Sequence, residues 1–485
     1  MKTLVNLFFA ATLVLSVASG DACADNFTEK NTDKAKEVIA AAVEAHGGSA
    51  LTDDLKTLVI ENETTNFAVD QSRGTEAPWD ETYGSGVNAI NLEDSVFANR
   101  AVNTGGGFQG DNGTIINGDE SYQMDFRAGT VARIGEPDYA TTSGPFVRVT
   151  PALLIRALND RAANAHYLGE TSVNGVDYDI IGFSMTVGPA ISMYIDKETH
   201  YLRRSERVFP GFGLVEYAFD DYEIVNGIPF NKTFELFLNG DSNLQRTNVS
   251  MQVNTSIDEY LAVDSRLASV PELSPDPLTR QEIADGVWLI GGAGTYAMFV
   301  DMGEYIFSAG GTAGIPDRIE SLREVVGDKP ISYSMMTHHH FDHVQGVAAF
   351  EAEGATLIGS AAHEKIIRRA AENGEALRFD GVTDKLTLET ADRRVDIIDL
   401  GPTAHTEHLL VAYLPAEGIL FEADHFAMPR VGPVPPAVDS TKTFAEALAS
   451  KELSITKILS AHSPKAATMD DLKTALEAEI FMSQR

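Results

Sequence analysis

A chain of 485 residues exceeds the roughly 250 to 300 residues that one hydrophobic core can serve, so at least two domains are expected. Hydrophobic residues at 44% and charged residues at 22% exclude long-range disorder, because enough apolar surface can be buried to offset the entropy of ordering. Lys and Arg total 37 against 71 Asp and Glu; the resulting charge of −34 excludes nucleic acid as a partner, since that binding needs basic residues to release counterions from phosphates.

Residues 1–24 read as a signal peptide, with Lys2 as the positive start, an apolar run from Leu4 to Val17, and Ala22-Cys23-Ala24 as the small-residue cleavage site. The mature chain then begins near Asp25, and the expected location is periplasmic or secreted. Lipidation of Cys23 is the alternative, but Gly20, Asp21 and Ala22 are not the residues that should precede it. The apolar run falls short of the ~20 residues a bilayer span needs, so no transmembrane segment is expected. Cys23 is the only cysteine. With it removed, any metal must be held by His and carboxylate, and no disulfide forms.

Residues 25–270 are expected to form a mainly antiparallel, β-rich α+β domain. From Asp33 to His46, apolar residues at Ala35, Val38, Ile39, Ala42 and Val43 have helical spacing, and Gly47-Gly48 ends the helix. Short alternating runs follow: Tyr178 to Phe183, Ile191 to Ile195, Leu214 to Phe219 and Phe234 to Leu238. Asn174-Gly175, Asn226-Gly227 and Asn239-Gly240 predict tight hairpins, because such turns demand a positive φ. One helix, from Pro151 to Asn159, is expected to interrupt the strands. The stretch from Val187 to Phe230 resembles the half-barrel sheet of lipoprotein-carrier-like domains, which implies an apolar ligand for this domain.

Pro271, Pro275 and Pro277 mark residues 271–278 as a linker. Residues 279–485 then alternate strands and helices: strands from Val287, Tyr296 and Tyr305, a helix from Pro316 to Val326, and a strand from Ile331 to Met336. A helix from Ala361 to Ala371 follows, then hairpin strands from Leu386 to Leu400, strands from Leu409 and Ile419, and helices from Thr443 and Met469. This second domain is α/β.

Nine of the 12 histidines lie between positions 338 and 462. His338, His340, Asp342 and His343 follow directly on an apolar strand. Alternation sends His338 and His340 the same way, while Asp342 and His343 can turn toward a second ion; imidazole and carboxylate are the ligands zinc accepts when thiolate is absent. His339, between two ligands, is expected to point away from them, into solvent. His408 and His425 flank the later segments, in supporting or surface positions. His363-Glu364 is not a zinc-protease helix, because Ile367 stands where a second histidine would be required.

The run HHHFDH after Thr337 resembles the His-x-His-x-Asp-His signature of the metallo-β-lactamase superfamily. Gly401-Pro402-Thr403-Ala404-His405-Thr406 resembles its third-histidine loop, Phe421-Glu422-Ala423-Asp424 its bridging-aspartate strand end, and Ser460-Ala461-His462 its final histidine. Gln345 and Ser308 depart from the usual glycine and aspartate. The resemblance, over residues 279–485, implies an αββα sandwich with two metals at one edge. His338, His340 and His405 would hold the first, Asp342, His343 and His462 the second, and Asp424 would bridge. Two Zn(2+) ions per chain are implied, with iron or manganese as substitutes. The implied activity is hydrolysis by a metal-bridging hydroxide, the water's pKa falling from 15.7 toward about 7, with Asp342 orienting or relaying the proton.

The bridging aspartate is more similar to the glyoxalase-II and lactonase branches than to true β-lactamases. Only residues 463–485 follow His462, too few for a glutathione-binding helical domain, and Ala427 stands where some acyl-homoserine lactonases have tyrosine. A small ester, lactone, thioester or amide is the expected substrate. Two other readings differ in class: a mononuclear iron persulfide dioxygenase-like oxidoreductase, and a carrier or docking protein whose N-terminal sheet binds an apolar partner.

Overall fold

A computed structural model describes residues 27–209 and 213–481. The expected signal segment lies outside the described residues. No helix among the described residues is long and apolar enough to cross a membrane.

The first domain is a single fourteen-stranded sheet with helices on one face. Helix α1 (Phe27–Ala45) leads into a meander of β1 (Thr57–Phe67), β2 (Glu81–Asn91), β3 (Val96–Gly105), β4 (Phe108–Ile116), β5 (Tyr122–Asp125) and β6 (Thr130–Ile134). Helices α2 (Tyr139–Arg148) and α3 (Pro151–Asp160) cross to a second meander. This comprises β7 (His166–Val173), β8 (Val176–Phe183), β9 (Ile191–Asp196), β10 (Leu202–Phe209), β11 (Gly213–Val225), β12 (Ile228–Leu238) and β13 (Asp241–Val253). β13 returns to pair antiparallel with β1 and fuses the meanders, and β14 (Ala268–Leu273) adds in parallel beside β6. β14 carries the sheet to Leu273, into the stretch read as linker. Its register slips between Val270 and Leu273, where Pro271 offers no N–H to the ladder, a defect tolerated on an edge strand.

The predicted Asn-Gly turns form, with φ of 53° and 82° at Asn174-Gly175, 50° and 83° at Asn226-Gly227, and 52° and 92° at Asn239-Gly240. Val38, Ile39 and Ala42 of α1 pack with Leu153, Leu154 and Leu158 of α3 on Leu58, Ile60, Met193, Phe219 and Phe230 of the sheet. Helix α2 was not expected. Gly144 and Pro145 lie inside it and read as breakers, but Asp138 caps its start by accepting from the Thr141 amide.

The second domain has two further sheets. β15 (Thr279–Ala284), β16 (Val287–Gly292), β17 (Thr295–Asp301), β18 (Ile306–Ala309), β19 (Ile331–Met335), β20 (Thr356–Ser360) and β21 (Phe379–Val382) form one in that order. β22 (Lys385–Glu389), β23 (Arg394–Asp399), β24 (Leu410–Leu414), β25 (Ile419–Glu422) and β26 (Lys457–Ser460) form the other. Leu289, Met298 and Phe307 meet Ile397, Ala412 and Phe421 between the sheets. Helices α4 (Ile315–Val326), α5 (Phe341–Val344), α6 (Val347–Ala352) and α7 (Glu364–Arg369) lie with the first sheet, and α8 (Asp439–Ala449) and α9 (Met469–Glu477) cover the second. Helices on both outer faces explain why β16, β17 and β24 read as nearly unbroken apolar runs: neither side of them meets water. The layers are αββα, as expected.

Candidate metal centre

Four strand ends deliver the seven predicted side chains to one edge of the sandwich. β19 stops at Met335, and the chain turns through His338 and His340 into α5, whose single turn carries Asp342 and His343. His405 comes from the loop between β23 and β24, where the Thr403 hydroxyl accepts from the amides of His405 and Thr406, both at 3.1 Å. β25 and β26 run parallel with Glu422 opposite Ser460, so Asp424 and His462 emerge side by side.

The seven fall into two groups, His338, His340, His405 and Asp424 in one and Asp342, His343 and His462 in the other, with ligand-type atoms in each within 4.8 Å of one another. Asp424 joins them. Its Oδ2 lies 3.1 Å from His338 Nε2 and 2.9 Å from His405 Nε2, while its Oδ1 lies 2.9 Å from both His343 Nε2 and His462 Nε2.

Buried Asp424 Oδ1, His338 Nε2 and His340 Nδ1 nevertheless make no directed hydrogen bond. Buried polar atoms are ordinarily satisfied, and close approach without alignment is what ligand atoms show when they aim at a common point rather than at each other. The donor set therefore fits a pair of divalent cations, with His and carboxylate as the only ligand types.

The electrostatics of the two groups differ. Burial, reinforced by His340 and His343, holds the His338 imidazole well below its ordinary value, and burial with His405 and His339 does the same to His340. Burial also opposes a charge on His343, but Asp424 and Asp342 outweigh it and raise that ring; at His462 the same two carboxylates overcome burial and push it up to about 10. For Asp424, burial favours the neutral acid, yet His343, His338 and His405 hold the carboxyl well below the usual range. In the first group, His338 and His340 thus offer neutral imidazoles. The second demands positive charge.

Exposure separates Asp342 and His462 from the other ligand-type side chains, His343 of their own group included. His338, His340 and His343 are fully buried, whereas the side chains of Asp342 and His462 are each 32% exposed. The cover comes from the first domain. The β1–β2 loop, residues 68–80, crosses the HHHFDH segment: the Phe341 amide donates to the Asp70 carbonyl at 3.2 Å and the Glu407 amide to the Arg73 carbonyl at 3.0 Å. His340 Nε2 donates to the Ser72 carbonyl at 2.9 Å, and Gln71 Nε2 donates to Asp342 Oδ1 at 2.7 Å. At the β3–β4 turn, Phe108 sets its ring edge-on to His405, centroids 4.7 Å apart, and the Gly106 carbonyl lies 3.4 Å from His405 Nδ1.

This cover corrects one expectation. His339 points away from the metal ligands but not into solvent: it is fully buried, donating from Nε2 to the Gly74 carbonyl at 3.2 Å and lying 4.6 Å from the ring of His363. Alternation set the direction of the side chain, and a loop from another domain removed the water. His408 donates from Nδ1 to Asp399 at 2.8 Å, and buried His425 lies 2.9 Å from the Thr403 hydroxyl, so both brace the His405 loop. Gln71, Ser72, Gly106 and Phe108 carried no sequence signal. Each acts on a residue 265 or more positions away, and none belongs to a ligand motif.

Residues 295–462 match the family model described as the metallo-beta-lactamase superfamily. No curated protein matches the chain. Among solved structures it is similar to the metallo-beta-lactamase FIM-1 from Pseudomonas aeruginosa in the mono-zinc form, at 22% identity over 41% of this chain and 94% of that one, with a TM-score of 0.34. It is also similar to a metallo-beta-lactamase from Pontibacter korlensis (17% identity, 41% and 97% covered, TM-score 0.35). A mutant flavo di-iron protein from Thermotoga maritima shows similar values (16% identity, 42% and 61% covered, TM-score 0.35). The family match spans all seven of these histidine and aspartate side chains.

Proposed function

We propose that the protein is an exported metal-dependent hydrolase that holds two zinc ions and cleaves a small ester, lactone, thioester or amide. The observation that carries this reading is Asp424, whose two carboxylate oxygens each serve a different set of histidines. Two bound divalent cations would supply Lewis acidity toward a carbonyl and a water acidic enough to ionise near neutral pH.

The chain's own groups then have defined tasks. Asp424 lies within 3.1 Å of four imidazoles and spans the two sets. Burial favours the protonated form of Asp342, but His343 and His462 hold its carboxyl far below the ordinary range, so it meets a water as an ionised hydrogen-bond acceptor that orients it. With Oδ1 engaged by Gln71, Oδ2 is the oxygen that faces the second set, 3.3 Å from His343 Nε2. The open side at Asp342 and His462 gives a small molecule its approach. The excess of acidic residues disfavours polyanionic substrates.

Metal analysis of the purified mature chain, followed by a panel of ester, lactone, thioester, β-lactam and phosphodiester substrates, tests the reading. Two zinc ions per chain and chelator-sensitive cleavage of a carbonyl substrate are expected. One iron per chain with oxygen consumption on a persulfide overturns it. N-terminal sequencing of exported material, expected to begin at Asp25, tests the export.

A further inference from the structure

We propose that the first domain is an integral part of the metal centre, with Gln71 positioning the ligand of the second cation and the Ser72 carbonyl positioning a ligand of the first. This rests on the two-cation reading above but not on the reaction assigned to it.

A carboxylate a third exposed can rotate, and either of its oxygens can turn toward water. Gln71 removes that freedom. Its amide donates to Asp342 Oδ1 at 2.7 Å and leaves Oδ2 directed at the second set, 3.3 Å from His343 Nε2 and 3.7 Å from His462 Nε2. Ser72 does the equivalent for His340. A carbonyl can only accept, so the 2.9 Å contact places the proton on Nε2 and leaves Nδ1 unprotonated, buried and without a partner. One ring nitrogen held by an outer acceptor while the other faces the ion is the arrangement that fixes a ligand's tautomer and orientation.

The loop that carries both groups is itself fixed. The Ser72 hydroxyl donates to the Ala68 carbonyl at 2.9 Å and accepts from the Asp80 amide at 2.7 Å, which ties the loop's ends together. Ion pairs from Asp70 to Arg369 at 2.8 Å and from Glu76 to Lys365 at 3.0 Å pin it to α7 from outside the site. Ser72 is only 2% exposed. A loop that merely shielded the edge would not need an amide aimed at one carboxylate oxygen and a carbonyl aimed at one ring nitrogen.

Gln71→Met keeps the length and shape of the side chain and deletes the donor. Ser72→Ala loosens the turn that aims the carbonyl. Each full-length variant is titrated with zinc against a chromophoric chelator, and with cobalt(II) while its visible spectrum is followed. The wild type should take two ions. In Q71M the second site should weaken by roughly 10- to 100-fold, the effect usual for an outer partner of a metal ligand, with the first site and the far-ultraviolet circular dichroism unchanged. S72A should weaken the first site and perturb its cobalt bands. Wild-type affinities and spectra in both variants overturn the proposal and leave the two-cation reading standing. A wild type that binds fewer than two ions overturns both.

Discussion

His46 in the sheet domain and His343 in the sandwich are both fully buried, and their protonation is driven in opposite directions. Burial pushes His46 down to about 4, with only the Ala42 carbonyl, 2.8 Å from its Nδ1, working the other way, and the rings of Tyr201 and Tyr222 complete its surroundings. His343 bears the same penalty, but Asp424 and Asp342 reverse it. Removal from water alone makes a histidine a neutral packing residue. Carboxylates converging on the same point turn it into part of a site that calls for positive charge, which a divalent cation meets better than protons do.

The sharpest way to break the contrast is to take away the shared carboxylate. Asp424→Ala leaves His338, His405, His343 and His462 without their common partner, so both cation sites should suffer together. Activity on the substrate found by the panel should fall by more than the roughly 10- to 100-fold typical of an outer partner, and metal analysis should return fewer than two ions. Full activity with two ions retained would end the assignment of Asp424 as the bridge.

His46 supplies the opposite test. Its folded-state pKa lies below the unfolded value of 6.5, so the unfolded chain binds the extra proton between about pH 6.5 and pH 4. The stability tied to neutral His46 is complete above pH 6.5 and is lost as pH falls toward 4, by roughly 3 kcal/mol in all. His46→Leu should flatten that slope. Urea midpoints for wild type and variant at pH 7 and pH 4.5 measure it as a difference, in which the titrations of the metal-site groups cancel. Parallel losses in both proteins would show that His46 is not a buried neutral group.

What the sequence disclosed follows the same division between local and distant causes. His338, His340, Asp342, His343, His405, Asp424 and His462 were legible because each sits just past an apolar strand, and strand ends at a sandwich edge must converge. The Asn-Gly turns were legible because their φ values belong to two adjacent residues. Helix α2 was missed because Gly144 and Pro145 look like breakers, while its faces are held by tertiary packing of Phe146 on Phe97. The reach of Gln71 to Asp342 could not be read at all. Nothing in residues 68–80 marks a loop that closes on a site 271 positions later.

Metal removal gives the next smaller effect when counted for each ion. Ions that bind only the folded state stabilise it by mass action, about 2.7 kcal/mol for each site when free zinc stands at 100 times the dissociation constant. Stripping with a chelator should lower the melting temperature, and the ion held beside Asp342 and His462 should leave first, because that side is open to solvent and the other is roofed. Cobalt spectra recorded during slow chelation would follow the order. Simultaneous loss of both ions would mean that the difference in exposure does not govern release.

The smallest expected effect tests the roof over the first set. Gly107 sits at φ +81° in the β3–β4 turn, and a Cβ there would come within 3.0 Å of the Ala404 carbonyl carbon and oxygen, one residue before His405. Its own carbonyl accepts from the Ser440 amide at the start of α8, at 2.9 Å. Glycine is thus required twice, for the backbone angle and for the close approach. Gly107→Ala should cost about 1 to 2 kcal/mol from the left-handed backbone, plus whatever displacement the contact with Ala404 forces. That displacement would draw Phe108 away from the His405 ring. Zinc release from the first site should then quicken in step with the loss of stability, and a variant that loses stability while its first-site release rate is unchanged would reduce the turn to a structural contact between the domains.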